Sequence, residues 1–260
     1  MHKILITNDD GLDSPGLAML AEALLRTGLY ELCVVAPERE QSGVGHGITL
    51  HTPLYAERAT LNGPLAAVPT YRVAGTPADC VKLALTNLFP DFAPDVVLSG
   101  INRGPNVGTN VLYSGTVAGA LEACSNNLPA AALSLDVPQI GSWDFRLAAE
   151  LCLPIVAELF AQGLPAWSAL NVNLPNLPHD EIKGVKLTRH GLSGFREYYT
   201  EEPGEGARRR FRLEGTMVFR DSDPDLDAVA LRAGWISVTP LGLGMLHAEA
   251  HGKLGRWNIF

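Results

Sequence analysis

The sequence has no CxxC pair, no long apolar run and no excess of positive charge, and each absence removes a class of function. Its four cysteines, Cys33, Cys80, Cys124 and Cys152, are widely scattered. That spacing supports neither a zinc site nor a disulfide framework. Each thiol stands in or beside an apolar stretch, as small buried thiols of a reducing compartment do. The most apolar later segment, residues 151–157, is bracketed by Glu150 and Glu158 and is far too short to span a membrane. The first residues, Met1-His2-Lys3-Ile4-Leu5-Ile6-Thr7, reach Asn8-Asp9-Asp10 without the apolar region of a signal peptide. The expectation is a soluble, cytoplasmic protein with no membrane partner. Lys and Arg number 20 against 28 Asp and Glu, a net charge of −8. Such a field repels a polyanion, so no nucleic-acid polymer is expected as a partner. A small anion is a different case, because one bound cation reverses the sign locally.

What is present reads as α/β. The 260 residues suffice for one large domain, or a domain with a smaller appendage. Apolar runs alternate with helical patterns through the first half, the mark of βαβ units on a parallel sheet. Residues 3–7 predict a buried strand. Pro15 opens a helix with Leu17, Leu20, Ala21, Leu24 and Leu25 on one face, and Gly28 ends it. Further strands are expected over 32–35, 95–99 and 130–135, with shorter β structure in 54–73. Thr76-Pro77-Ala78-Asp79 is a helix start, Thr as N-cap and Pro in the first turn. Helices are expected over 116–124 and 145–160, and a long polar loop over 100–114. The fold class is a doubly wound, mostly parallel, Rossmann-like sheet over 1–190. A β-rich C-terminal extension over 191–260 belongs to the same structural domain. In it, residues 195–219 combine aromatics, the turn Pro203-Gly204-Glu205-Gly206 and the run Arg208-Arg209-Arg210, which predicts a projecting hairpin; residues 235–239 return as a strand.

Asn8-Asp9-Asp10-Gly11 occupies the carboxyl end of the first strand, where a dinucleotide-binding enzyme carries GxGxxG. Two adjacent carboxylates repel a phosphate dianion, by roughly 4 kcal/mol per charge pair at about 4 Å and an effective dielectric of about 20. A divalent cation between them turns that repulsion into bridging. Oxygen-only ligands favour one Mg²⁺ or Mn²⁺ per subunit, with Ca²⁺ as a further candidate. The plainer reading is that one of the pair caps the helix at Pro15, a role that suits Asp13 or Ser14 better. Three more loops are expected at the same edge. They carry Ser42, Gly43, Gly45 and His46; Asn102, Arg103, Asn106 and Asn110; and Ser114-Gly115-Thr116, which opens a helix whose free N–H groups could hold an anion. Each has a bland explanation alone: loop satisfaction for the asparagines and His46, capping for Ser114. Their succession after consecutive strands is what favours a site.

Taken in order, Asn8-Asp9-Asp10-Gly11, Ser42-Gly43 ahead of His46 and Thr49, Gly75-Thr76-Pro77-Ala78-Asp79-Cys80, Ser99-Gly100-Ile101-Asn102-Arg103-Gly104 and Tyr113-Ser114-Gly115-Thr116 resemble the SurE (survival protein E) 5′-nucleotidases. The likeness is dense over residues 3–136 and returns at Ile236-Ser237-Val238-Thr239-Pro240-Leu241. It implies a metal-dependent phosphatase of nucleoside 5′-monophosphates, extending to 3′-monophosphates and short polyphosphate. Asp9, Asp10, Ser42 and Asn102 would be the metal ligands, with Asp9, Asp10 and Asn102 catalytic. Ser42, Gly43, Asn110, Ser114, Gly115 and Thr116 would line the phosphate pocket. It also implies a homodimer or homotetramer with exchanged C-terminal elements. Thr109-Asn110, Gly47 and Leu226-Asp227 depart from the family pattern; they leave the metal set intact and bear on base and sugar preference.

A non-enzymatic, Mg²⁺-binding receiver-like signalling module is the alternative, since it also carries an acidic pair after its first strand. It needs a later strand-end Asp, where this chain has Ser99 and Asn102. A haloacid dehalogenase-type phosphatase needs aspartates two apart, and position 11 is Gly; a P-loop kinase needs GxxxxGK[ST], which is missing. No Cys or His sits in an anion-binding loop, so the expected attacking group is a water activated by the metal. Asn102, Asn110 and the N–H groups near Gly115 would steady the developing charge, with Arg103 a lesser candidate.

Overall fold

The computed structural model describes residues 1–138, 141–204 and 206–244. In chain order the elements are β1 (His2–Thr7), α1 (Pro15–Arg26), β2 (Tyr30–Pro37), β3 (Ala56–Ala59), β4 (Thr70–Val73), α2 (Pro77–Leu83), β5 (Val96–Arg103), α3 (Gly115–Ser125), β6 (Ala130–Leu135), α4 (Phe145–Gln162), β7 (Ser168–Leu174), β8 (Val185–Leu187), β9 (Gly194–Glu202), β10 (Arg210–Val218), α5 (Asp227–Arg232) and β11 (Ile236–Gly242). Among the described residues nine strands form one sheet in the order β3-β4-β2-β1-β5-β6-β7-β11-β8, and β9 and β10 form a separate two-stranded sheet. The stretch from β4 to β7 is parallel throughout. The antiparallel pairs in the sheet are β3 with β4 and β11 with β7.

Strand periodicity divides the core. Ile4, Ile6, Val34 and Leu98 point to one face and meet Leu17, Leu20 and Leu24 of α1 with Ala148 and Cys152 of α4. Leu5, Cys33, Val35 and Val97 point to the other and meet Cys80 and Val81 of α2 with Val117 and Ala120 of α3. Burying each Leu of α1 contributes about 1.5–3 kcal/mol. The helix starts follow from their caps. Ser14, not Asp9 or Asp10, caps α1 by accepting the Leu17 N–H, and Thr76 with Asp79 forms a reciprocal capping box on α2. The small residues of α3 let it lie against the sheet: a Cβ on Gly119 would stand 2.9 Å from Ser99 Oγ. The chain passes from β1 to β2 on one side and later to β5 on the other, so the sheet's order reverses at β1. Ligand crevices form outside the carboxyl ends of strands at such a point.

The structure corrects the sequence reading in three places. Residues 100–103, expected as loop, continue β5 after an irregularity between Ser99 and Asn102. The strand β7 and the short helix α5 were not expected. SALNVNL in β7 puts asparagines at sheet-facing positions that strand propensity disfavours, and α5 is a six-residue segment too short to show a period. The returning strand β11 lies inside the main sheet, bonded to both β7 and β8. The hairpin forms over Gly194–Glu202 and Arg210–Val218, with Glu205 of its turn and the tail 245–260 outside the described residues. No described helix is long and apolar enough to cross a membrane.

Candidate active site at the β1 switch point

Asp9 follows β1 and is 5% exposed. Gly11, at φ +95°, turns the chain sharply back, and Asn8 Nδ2 fixes the turn by donating to the Gly11 carbonyl at 2.8 Å and to Ser14 Oγ at 2.8 Å. The carbonyl of Asp9 accepts the Gln41 N–H at 2.7 Å, which draws the loop carrying Ser42 onto the end of β1. From the other side the first turn of α3 presses on Asp9. The Thr116 hydroxyl donates to Asp9 Oδ1, and a Cβ on Gly115 would stand 2.8 Å from Asp9 Cβ. Burial is the main reason that the Asp9 carboxyl is pushed up to about 6; the Thr116 hydrogen bond opposes it and the Asp10 charge adds to it. Asp10 is also raised by burial, against the Arg103 N–H that it accepts at 3.0 Å.

A polar cavity of about 200 Å³ opens here, and Asp9, Ser42, Gly43, Asn102, Asn110 and Ser114 all line it. Three of the expected site residues lie behind that wall. Asp10 holds the Arg103 backbone, and Gly115 and Thr116 back Asp9, with the Thr116 hydroxyl committed to its carboxylate. Ser114 does both jobs considered for it, capping α3 through the Val117 N–H and lining the cavity. Arg103 also lines the cavity, its guanidinium 5.5 Å from the Trp143 ring centre.

The donor set fits a hard divalent cation. Asn102 donates Nδ2 to the Gly104 carbonyl at 2.8 Å, and its Oδ1 accepts no hydrogen bond among the described residues. Ser42 supplies a hydroxyl, donated at 2.6 Å to Glu40 in this geometry. Among the described residues no Lys, Arg or His pairs with the buried Asp9, and no three His, Cys, Asp or Glu side chains cluster. A cation here would meet Asp9 on the cavity wall, with Asp10 beside it behind the wall, and complete its shell with neutral oxygens, which suits Mg²⁺, Mn²⁺ or Ca²⁺ and not zinc.

Sequence reasoning missed the residues that hold these loops. Asn171 and Asn173 of β7, both fully buried, donate to the Asn106 carbonyl at 2.7 and 3.1 Å, and Asn173 accepts the Asn106 N–H at 2.7 Å. Buried Asp227 accepts the Gly108 and Gly191 N–H groups at 2.8 and 3.1 Å. Phe195 and Glu197, two apart on β9, reach the cavity from the hairpin, and Asn110 Oδ1 accepts the Phe195 N–H at 3.2 Å. No local signal announces these pairings, since the partners lie 36 to 119 residues apart along the chain.

Glu122 is the one missed residue with a sequence signal, a lone charge in the small-residue helix α3. It is buried and binds His46 Nε2 at 3.0 Å and Lys82 Nζ at 2.6 Å, tying the loop beyond Ser42 to α2 and α3. Burial alone would raise its carboxyl, but the hydrogen bonds from His46 and Lys82 outweigh that and hold it at about 2, below its ordinary 4.5. A depressed carboxyl stabilises the fold above its unfolded value, and that stability is lost as pH falls from 4.5 towards 2. With His46 and Lys82 half exposed, the contribution is about 1–2 kcal/mol. Glu122→Gln should thus be less stable than the parent by that amount at pH 6, with the gap closing as pH falls towards 3. Urea midpoints across that range measure it, and a constant gap would count against the charge pairing.

Residues 4–197 match the family model described as "Survival protein SurE". A protein named 5′-nucleotidase SurE from Moorella thermoacetica is 44% identical over 257 residues, 99% of this chain and 96% of the relative. One of the same name from Carboxydothermus hydrogenoformans is 41% identical, covering 98% and 96%. Among solved structures, the SurE protein from Aquifex aeolicus superposes with a TM-score of 0.80 at 36% identity, over 97% of this chain and 98% of that one.

Proposed function

This chain belongs to the SurE family, and on that premise we propose that it is a phosphatase that hydrolyses nucleoside 5′-monophosphates with the help of one Mg²⁺ or Mn²⁺ per subunit. The observation that carries the reading is the convergence on one small cavity of Asp9, with Asp10 next to it behind the wall, the start of α3 and the asparagines Asn102, Asn106 and Asn110. An adjacent carboxylate pair beside a phosphate makes chemical sense only around a cation. The cavity gives the leaving group's 5′ or 3′ attachment little to discriminate, which extends the proposal to 3′-monophosphates and short polyphosphate. The receiver-like alternative loses ground because Ser99, at the position it would need for a phospho-accepting carboxylate, is fully buried under Gly119.

The bound cation would supply charge neutralisation on the phosphate and a lowered pKa for an associated water. Asp9, Asp10, Asn102 and Ser42 would hold it. The chain's own groups do the rest. The Thr116 hydroxyl keeps Asp9 oriented, so one carboxylate oxygen remains directed at the site. Asn110, Asn102 and Arg103 would grip the equatorial phosphate oxygens, where charge accumulates in the transition state. Among the described residues no thiol or imidazole borders the cavity, and the Asp9 carboxylate there would be committed to the cation, so water is the attacking group and no phospho-enzyme forms. A single turnover in ¹⁸O-water with excess enzyme should place the label in phosphate; label found in Asp9 or Asp10 would assign the attack to that carboxylate.

We extend the proposal to assembly and location. Phe195, Tyr198, Tyr199, Phe211 and Leu213 are all exposed on the two-stranded β9–β10 hairpin. An isolated hairpin is marginal in water, so a second copy covers it in a homodimer or homotetramer; the C-terminal exchange implied by the family concerns in part the tail outside the described residues. Removing residues 199–210 should shift the protein towards monomer in light scattering at micromolar concentration. A full-length monomer there would refute the role. The four buried free thiols suit a reducing compartment, and we place the enzyme in the cytoplasm on that ground.

A further inference from the structure

A second cavity, of about 280 Å³, adjoins the phosphate site, and Pro105 and Phe195 line both. A molecule whose phosphate occupies the polar cavity has its other end beside this one. The second cavity's walls are mainly apolar and include two aromatic rings, Phe195 from β9 and Phe219 just beyond β10. Phe219 is 41% exposed, and the Arg232 guanidinium of α5 lies 4.5 Å from its ring centre. An exposed ring with a cation over it offers a flat π-face ligand a place to stack.

One carboxylate enters this apolar setting. Asp136 follows β6, at the carboxyl edge of the sheet. Its Oδ1 accepts the Val137 N–H at 2.7 Å, while its Oδ2 accepts nothing among the described residues. A carboxylate so placed seeks a hydrogen-bond donor on the ligand. The volume lies at the small end of ligand cavities, which run to about 1,000 Å³, and so suits one nucleoside and not a polymer.

We propose that this cavity is the leaving-group subsite, in which an amino-bearing nucleobase stacks beside Phe195 and Phe219 and donates its amino group to Asp136. The assignment rests on the phosphatase reading for the identity of the substrate, but its cavity chemistry is testable apart from catalysis. In it the hairpin has a second use: β9 and the residue just beyond β10 carry the two rings that separate a nucleotide from a phosphate ester without a base. The basic–aromatic pair of Arg232 and Phe219 and the free Asp136 oxygen then set base preference, which the polar cavity does not.

The test uses the full chain, with Phe219→Ala to remove the ring and Val137→Trp to fill the cavity from its exposed rim. In both variants the ratio of kcat/KM for AMP to that for glycerol phosphate should fall about tenfold or more, chiefly through KM. Adenosine alone should bind the metal-free parent protein in saturation-transfer NMR and lose that signal in both variants. Asp136→Asn should narrow the preference for AMP over IMP. An unchanged ratio with adenosine still bound would overturn the subsite. So would an unchanged ratio accompanied by a shift to monomer in light scattering, which would make the cavity a subunit contact. If the parent released phosphate from neither ester, the phosphatase reading would fall, and adenosine binding by itself would still decide the cavity.

Discussion

Asp9→Asn or Asp10→Asn should lower phosphate release from a nucleoside 5′-monophosphate about a thousandfold while leaving the fold intact. The size follows from the several kcal/mol that a cation contributes to a phosphoryl transition state, at a factor of ten per about 1.4 kcal/mol. Asparagine keeps the shape and can still accept the Thr116 hydroxyl, so the first turn of α3 stays in register. It cannot keep the charge. An amide at position 9 removes the charge of Asp9 from the cavity wall and one at position 10 removes the charge directly behind it, and among the described residues no third His, Cys, Asp or Glu clusters with the pair to replace it. Stability should move the other way. Asp9 is buried without a cationic side chain, and burial is what raises its carboxyl; removing that charge relieves the fold of an unpaired ion. The metal-free Asp9→Asn protein should therefore melt no lower than its parent. Activity and melting temperature falling together would point to a structural role for Asp9. Full activity after exhaustive chelation would sink the cation.

A change that adds one carbon should come close in effect. Alanine at a helical glycine ordinarily stabilises by about 0.5–1 kcal/mol. At Gly115, however, the new Cβ would stand 2.8 Å from Asp9 Cβ, 3.0 Å from Asp9 Oδ2 and 3.2 Å from Pro77 Cγ. Two of these neighbours are stiff: the proline ring opens α2, and Asp9 is pinned through its carbonyl by Gln41. Either α3 retreats or Asp9 shifts, and both displace the carboxylate from the cavity wall. A misplacement of about 1 Å can cost about a hundredfold in rate, which is the loss expected in kcat for Gly115→Ala. Parental kcat with an unchanged melting temperature would show that α3 does not position Asp9.

The sequence by itself determined the parts in which neighbours along the chain decide the outcome. Alternation of Ile4, Leu5 and Ile6 across two core faces, the Ser14 and Thr76 caps and the antiparallel pairing of residues near 195–202 with those near 210–218 are short-range consequences of period, capping and turn chemistry. The acidic pair was legible for the same reason: a buried strand that ends in Asp9-Asp10 must present them at a sheet edge. Only the tertiary structure decided which of the candidate groups meet. Thr116 reads as a phosphate ligand in the sequence, yet its hydroxyl belongs to Asp9, because small residues let α3 sink against β1 and β5. The asparagines of β7 read as poor strand formers. They are in a strand because the Asn106 backbone, 65 residues earlier, repays their burial with hydrogen bonds. Phe195 and Glu197 read as assembly residues, and the fold returns them to the phosphate cavity by way of Asn110. Local propensity is set by a residue's immediate chain neighbours, whereas a buried polar group takes its partner from whatever the closed sheet brings within about 3 Å.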